Sequence, residues 1–194
     1  MKTVFFDVDT QIDFLFPAGA LYAPGAEHVV GNVATLNRYA ARNGIPVIST
    51  VDAHAENDPE FARWPAHCVV STAGQQKPSV TLLDKRVVVP NSDCAVSLDG
   101  AHQVLLEKQA NDCFTNVNLP RLLRECAAGR YVVYGVVTEI CVKYAAFGLL
   151  RSGQQVELVS DAVRSLDDKL AQQMIADFTA QGGILTTVAE VTAG

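Results

Sequence analysis

Short apolar, β-branched runs alternate along the chain with longer stretches of helical spacing. The runs "TVFFDVD" (3–9), "PVISTVD" (46–52), "QVLLEK" (103–108), "RYVVYGVV" (130–137), "QVELVSDA" (155–162) and "ILTTVAEV" (184–191) predict strands. Several carry apolar residues at consecutive positions, as strands buried on both faces do. Between them, 26–44, 141–153 and 166–183 place apolar residues three and four apart and end at glycine, the pattern of helices packed on a sheet. Strand–helix alternation implies right-handed crossovers and a parallel sheet covered on both sides. The expected fold is therefore a three-layer α/β/α domain with a six-stranded, mostly parallel sheet.

At 194 residues, the chain suits one domain spanning 1–194 with a substantial core. Its 49% hydrophobic and 19% charged content describe a globular protein. A net charge of −6 with no basic cluster argues against a nucleic-acid partner and for a small molecule. No run approaches the roughly 20 apolar residues of a membrane span, and "MKTVFFDVDTQ" lacks the pattern of a signal peptide. Five cysteines without a CxxC pair disfavour a disulfide framework, so reduced thiols and a cytoplasmic location are expected.

Ligands of parallel sheets sit beyond the carboxyl ends of the strands. Four predicted strands end there in chemically loaded residues: Asp9 after the first, Asp52 and His54 at the second, Lys108 at the third, and Cys141 in "GVVTEIC" after the fourth. A thiol at a helix amino terminus feels the positive end of the dipole, which favours thiolate. Asp9 could exchange the thiol proton and Lys108 could balance charge, completing a nucleophilic site. His28 and His102 have a surface pattern, so no Cys–His pair is expected.

The irregular region 53–100 begins with "DAHAENDPEFARWPAHC" (52–68), which holds two of the four histidines, four carboxylates and the sole tryptophan. Asp52 and His54 lie two apart, so a continuing strand puts both on one face. With Glu60 and His67, they offer imidazole and carboxylate donors to a divalent metal: zinc first, with iron or manganese also suited. By spacing alone, a solvated acidic loop is the plainer reading. Cys68 beside His67 is expected to pack rather than ligate.

Taken together, "VDTQIDF", "DAH" followed by "WPAHC", "EK" at 107–108 and "GVVTEICV" resemble the nicotinamidase branch of the isochorismatase-like cysteine hydrolases, across nearly the whole chain. The resemblance implies an Asp9–Lys108–Cys141 triad that cleaves an amide through a thioester. It also implies a metal on Asp52, His54, Glu60 and His67 that holds a pyridine nitrogen. It further implies an oxyanion hole from the backbone N–H groups of Val137 and Cys141, a cis Val137–Thr138 peptide, Phe14 and Trp64 as aromatic pocket walls, and a homo-oligomer. The implied reaction is hydrolysis of nicotinamide to nicotinate and ammonia. Related hydrolysis of another amide, ureido or isochorismate-like substrate is the alternative, and a non-catalytic ligand-binding domain is the contrasting class. Two segments depart from the family pattern: "VVSTAGQQK" (69–77) replaces a GTPG-like turn, and "QANDCFTN" (109–116) replaces an aromatic-rich stretch ending in Ser-Ala-Phe.

Overall fold

A computed structural model describes residues 1–95, 98 and 100–193. The elements in chain order are β1 (Thr3–Val8), α1 (Ile12–Leu15), α2 (Val30–Arg42), β2 (Val47–Asp52), β3 (Arg86–Val89), β4 (Gln103–Lys108), α3 (Leu119–Cys126), β5 (Arg130–Val136), α4 (Lys143–Leu150), β6 (Gln155–Arg164), α5 (Asp168–Ala180), β7 (Ile184–Thr186) and α6 (Val188–Thr192). The strands form one seven-stranded sheet in the order β3-β4-β2-β1-β5-β6-β7. Its pairings are parallel among the described residues.

Period-two alternation sorts the strand side chains onto two cores. Phe6, Val8, Ile48, Leu106 and Val133 pack with Leu122 of α3, Leu149 of α4 and Phe178 of α5. Phe5, Val47, Val132 and Tyr134 face the other way, against Leu36 of α2 and Val191 of α6. Each large side chain so buried contributes about 1.5–3 kcal/mol. The two cores make the expected three layers.

The sheet has seven strands where the pattern predicts six. The extra strand, β3, is a short edge with alternating exposure inside the region read as irregular, and Val88 on it faces solvent. Helix α3 is a second element the pattern did not predict. It starts with Pro120 in its first turn and ends where Ala127 takes a left-handed φ of 46°. The predicted strand 184–191 is corrected in its second half. After Thr186 the chain turns into α6, where the Thr187 side chain accepts from the Glu190 N–H and the Glu190 carboxylate accepts from the Thr187 N–H. This reciprocal capping box opens a helix and cuts the strand short.

A buried polar web lies between the sheet and α2. Asp7 accepts from Ser49 Oγ (2.9 Å), Thr10 Oγ1 (2.8 Å) and Asn37 Nδ2 (3.2 Å), and pairs with Lys77 Nζ at 3.0 Å. Lys77 also donates to Thr10 Oγ1 at 2.5 Å. The pair pins the 69–77 segment beneath the carboxyl end of β1. No helix among the described residues is long and apolar enough to cross a membrane.

Candidate active site

The central strands β4, β2, β1 and β5 are neighbours, so their carboxyl ends lie side by side. Residue Asp9 follows β1 with φ at 49°, a left-handed backbone that aspartate tolerates better than most residues. This turn aims its carboxylate back over β2, where Oδ1 accepts from Thr50 Oγ1 at 2.6 Å. In register with Asp52 across the β2–β4 pairing stands Lys108. Gly135 of β5 has φ of 121°, and a Cβ there would sit 2.1 Å from the Val8 carbonyl oxygen, so only glycine allows β5 to approach β1 this closely. The cis peptide is Val136–Val137, one residue before the bond implied by the resemblance. It leads into a π-helical turn, Thr138–Val142, that carries Cys141.

The structure brings the three expected triad residues together, all of them buried. Lys108 Nζ lies 2.8 Å from Asp9 Oδ2, 2.5 Å from Asp52 Oδ1 and 3.9 Å from Cys141 Sγ. Burial opposes its charge, but the two carboxylates outweigh burial and hold Lys108 well above the ordinary lysine value as an ammonium. The carboxylates divide their roles. Burial raises Asp9 despite Lys108, whereas at Asp52 burial is overcome by the charges of Lys108 and His54 and the hydrogen bond from Lys108, and the pKa is lowered.

The expected lowering of the Cys141 pKa is reversed. Burial pushes the thiol well above its ordinary value, the charges of Asp9 and Asp52 push the same way with hydrogen bonding to Asp9, and Lys108 offsets only part of this. In a buried, carboxylate-rich setting the helix amino terminus is too weak to ionise sulfur, so the thiol needs a base beside it. The rise at Asp9 suits it to take and return a proton.

Asp52 also belongs to a second cluster. Asp52, His54 and His67 each present a ligand atom within 4.8 Å of the others. His54 Nε2 lies 3.9 Å from Asp52 Oδ2 and 4.0 Å from Glu60 Oε2, and His67 Nε2 lies 3.9 Å from Asp52 Oδ2. The opposite ring nitrogens of both imidazoles face oxygens of their own. His54 Nδ1 lies 3.0 Å from Asp58 Oδ2, and His67 Nδ1 lies 2.8 Å from the Pro65 carbonyl. Asp58, outside the expected set, orients His54 as outer carboxylates orient metal-bound histidines.

A metal fits this donor set on two observations. His54 Nε2 is buried without a hydrogen-bond partner among the described residues, an arrangement that is costly unless a ligand completes it. Burial works against a proton on His54, yet Asp52 and Asp58 raise its pKa, while burial and the charge of Asp52 raise Glu60. Both shifts express unbalanced negative potential that a cation would relieve.

The supporting shell is local. Gln11 accepts from the Asp52 N–H at 2.7 Å and donates to the Asp52 carbonyl at 2.8 Å and the Gln75 carbonyl at 2.7 Å. The Cys68 N–H donates to Asp13 Oδ2 at 2.7 Å. Gly74 lies so close that a Cβ there would fall 2.1 Å from the same carboxylate oxygen. As expected, Cys68 is a packing residue, fully buried, with burial raising its thiol pKa.

A pocket of ≈ 400 Å³ opens over both clusters. It is lined by Phe14 and Trp64, by Asp52, Glu60 and His67, and by Val137 and Cys141. The Phe14 ring stands 5.4 Å from the His67 ring. The sequence reading missed Leu21, Asn111, Val136, Ile140 and Leu166 in this lining. Leu166 is positioned by Glu139, whose Oε1 accepts the N–H groups of Leu166 and Asp167 at 2.9 and 2.8 Å. Asn111 sits near the nucleophile, its Oδ1 3.9 Å from Cys141 Sγ.

With sheet order, strand-tip residues and pocket in place, the class follows: the chain belongs to the isochorismatase domain family, which it matches over residues 3–190. Its relatives within that family include the nicotinamidase of Escherichia coli (strain K12), 25% identical with 94% of this chain and 93% of that protein covered. The nicotinamidase of Saccharomyces cerevisiae (strain ATCC 204508 / S288c) is 24% identical, covering 87% and 90%. Among solved structures, the pyrazinamidase of Pyrococcus horikoshii in complex with zinc superposes with a TM-score of 0.82 at 26% identity, covering 96% of this chain and 99% of that one.

Proposed function

We propose that this chain hydrolyses nicotinamide to nicotinate and ammonia with Cys141 as nucleophile. The observation that carries the proposal is the placement of Lys108 Nζ against Asp9, Asp52 and Cys141 at the floor of a pocket walled by Phe14 and Trp64. Asp52, His54, His67 and Glu60 would hold a divalent metal, zinc by their donor chemistry and by the zinc in the P. horikoshii relative. When bound, the metal supplies a Lewis-acidic anchor for a ring nitrogen.

The protein's own residues would perform the bond changes. Cys141 Sγ attacks the carboxamide carbon as its proton passes to Asp9, and the negative charge on oxygen is met by the N–H groups of Val137 and Cys141. Asp9 returns that proton to nitrogen as the C–N bond breaks, releasing ammonia and leaving a thioester on Cys141. A water then gives its proton to Asp9 and attacks the thioester carbon. The C–S bond breaks, the sulfur regains a proton from Asp9, and the acid departs. Throughout, Lys108 remains an ammonium and keeps two buried carboxylates compatible with one site.

The test is ammonia release by zinc-loaded protein from a panel of small amides and ureido compounds, with mass spectrometry of the trapped acyl-enzyme. Nicotinamide should be the preferred substrate, with the acyl group on Cys141. No ammonia from nicotinamide would overturn the proposal, and preference for a ureido compound would move the substrate assignment while keeping the chemistry.

A further inference from the structure

The 109–116 segment, where the chain leaves the family pattern, is held firmly at points around Asn111. Gln109 Nε2 donates to the Ala53 carbonyl at 3.0 Å, Asp112 Oδ1 accepts from the Phe114 N–H at 2.9 Å, and Asn116 Nδ2 donates to the Glu107 carbonyl at 2.6 Å. Asn111, three residues beyond Lys108, is thereby fixed on the pocket wall. Its side-chain oxygen accepts from the Cys141 thiol at 3.9 Å, a donor that is lost once the sulfur gives up its proton. The other side-chain acceptors in the pocket lining are carboxylates on the histidine side: Asp52 pairs with Lys108 and Glu60 faces His54 at 4.0 Å, while Phe14, Val137 and Ile140 offer no side-chain acceptor. A carbonyl carbon bonded to Sγ would carry its substituents into the space beside Asn111 Oδ1.

From this geometry we infer that Asn111 selects primary carboxamides by accepting a hydrogen bond from the leaving –NH2 group. The inference rests on the proposed amide hydrolysis and names the group that recognises its leaving nitrogen. The acceptor orients the nitrogen lone pair toward Asp9, from which the nitrogen takes its proton as the C–N bond breaks and ammonia leaves. An ester of the same acid has no N–H to give and gains nothing from Asn111. A site built to hold an N–H discriminates more sharply than an apolar one, because an unmatched buried acceptor is costly.

The experiment compares nicotinamide with methyl nicotinate in the zinc-loaded parent chain and in Asn111→Leu, which keeps the side-chain shape without the acceptor. Asn111→Ala serves as a second variant should leucine disturb the fold. The expected result is a drop of about tenfold in kcat/KM for the amide, one neutral hydrogen bond, with the ester within twofold. Calorimetry in a Cys141→Ala background, which cannot turn over, should show weaker amide binding on removal of the Asn111 acceptor and unchanged ester binding. Equal losses for both substrates, or no loss for the amide, would overturn the role of Asn111 while leaving the hydrolase reading intact. A parent chain inactive on both would overturn that reading and this one together.

Discussion

Lys108 Nζ stands 2.8 Å from Asp9 Oδ2 and 2.5 Å from Asp52 Oδ1, so one buried cation serves two carboxylates that face different chemistry. Removing it leaves two buried negative charges unpaired. Lys108→Met is expected to abolish ammonia release and to cost about 3–5 kcal/mol of folding free energy, the range for breaking a buried ion pair. Denaturant unfolding checks the second figure. Full stability in the variant would show that Asp9 and Asp52 do not depend on Lys108.

Chemistry and metal binding should separate at Cys141. Cys141→Ala is expected to retain bound zinc and a melting temperature near the parent value while turnover falls at least about a thousandfold, as loss of a nucleophile does. Metal content and calorimetric melting of the purified variant, alongside the ammonia assay, check this. Residual turnover within tenfold of the parent would remove Cys141 from the reaction.

Asp58 contacts His54 on the nitrogen opposite the convergent one. Asp58→Asn is therefore expected to weaken zinc affinity by roughly 10–100-fold without removing a direct ligand. His54→Ala should eliminate stoichiometric binding altogether. Competition with a chromophoric chelator measures both. Equal affinity in Asp58→Asn and parent would deny the orienting role.

Away from the site, Arg130 clasps Glu157 through two hydrogen bonds of 2.7 and 2.6 Å between β5 and β6. Burial raises the Glu157 pKa, but hydrogen bonds from Arg130 and Gln155 and the Arg130 charge outweigh it, and the net shift is downward. A depressed folded pKa contributes stability above the unfolded value of about 4.3. That stability is lost as pH falls through the folded value. Glu157→Gln is expected to lower stability by about 1 kcal/mol at neutral pH, the pair being partly exposed. The difference from the parent should shrink toward zero as the pH drops below the folded carboxyl value. A pH series of urea unfolding curves checks both sign and window, and a gap that widens in acid would contradict it.

The Asp7–Lys77 pair is buried on the opposite side of β1 from the triad and takes no part in the proposed reaction. Lys77→Met should strand Asp7 and lower stability by about 3–5 kcal/mol. Limited proteolysis should then cut first in the 69–77 segment. An unchanged cleavage pattern would show that other contacts hold that segment.

The strands that bear the site were legible because buried parallel strands write themselves as apolar runs, and polar residues just after them stand out. Asp9, Asp52, His54, Lys108 and Cys141 were read in this way. The edge strand β3 was not, because exposure on alternate residues and a short length leave too little signal. Helix α6 was readable in principle, since Thr187 and Glu190 form a capping box, but the preceding "ILTT" carried the eye into a strand. Asp58 and Asn111 gave no local sign: an aspartate in an acidic loop and an asparagine in a turn are ordinary until a histidine or a sulfur is found beside them.

The sequence by itself determined the layering, the strands that meet at the reactive edge and the residue types available there, because these follow from periodicity along a single chain. The tertiary structure alone decided the direction in which the Cys141 pKa moves, the sharing of Lys108 between Asp9 and Asp52, and the convergence of the two histidines. Those properties depend on burial and on distances between residues far apart in the chain. Burial among carboxylates raises a thiol's pKa whatever its place at a helix terminus, and only the folded chain reveals those neighbours.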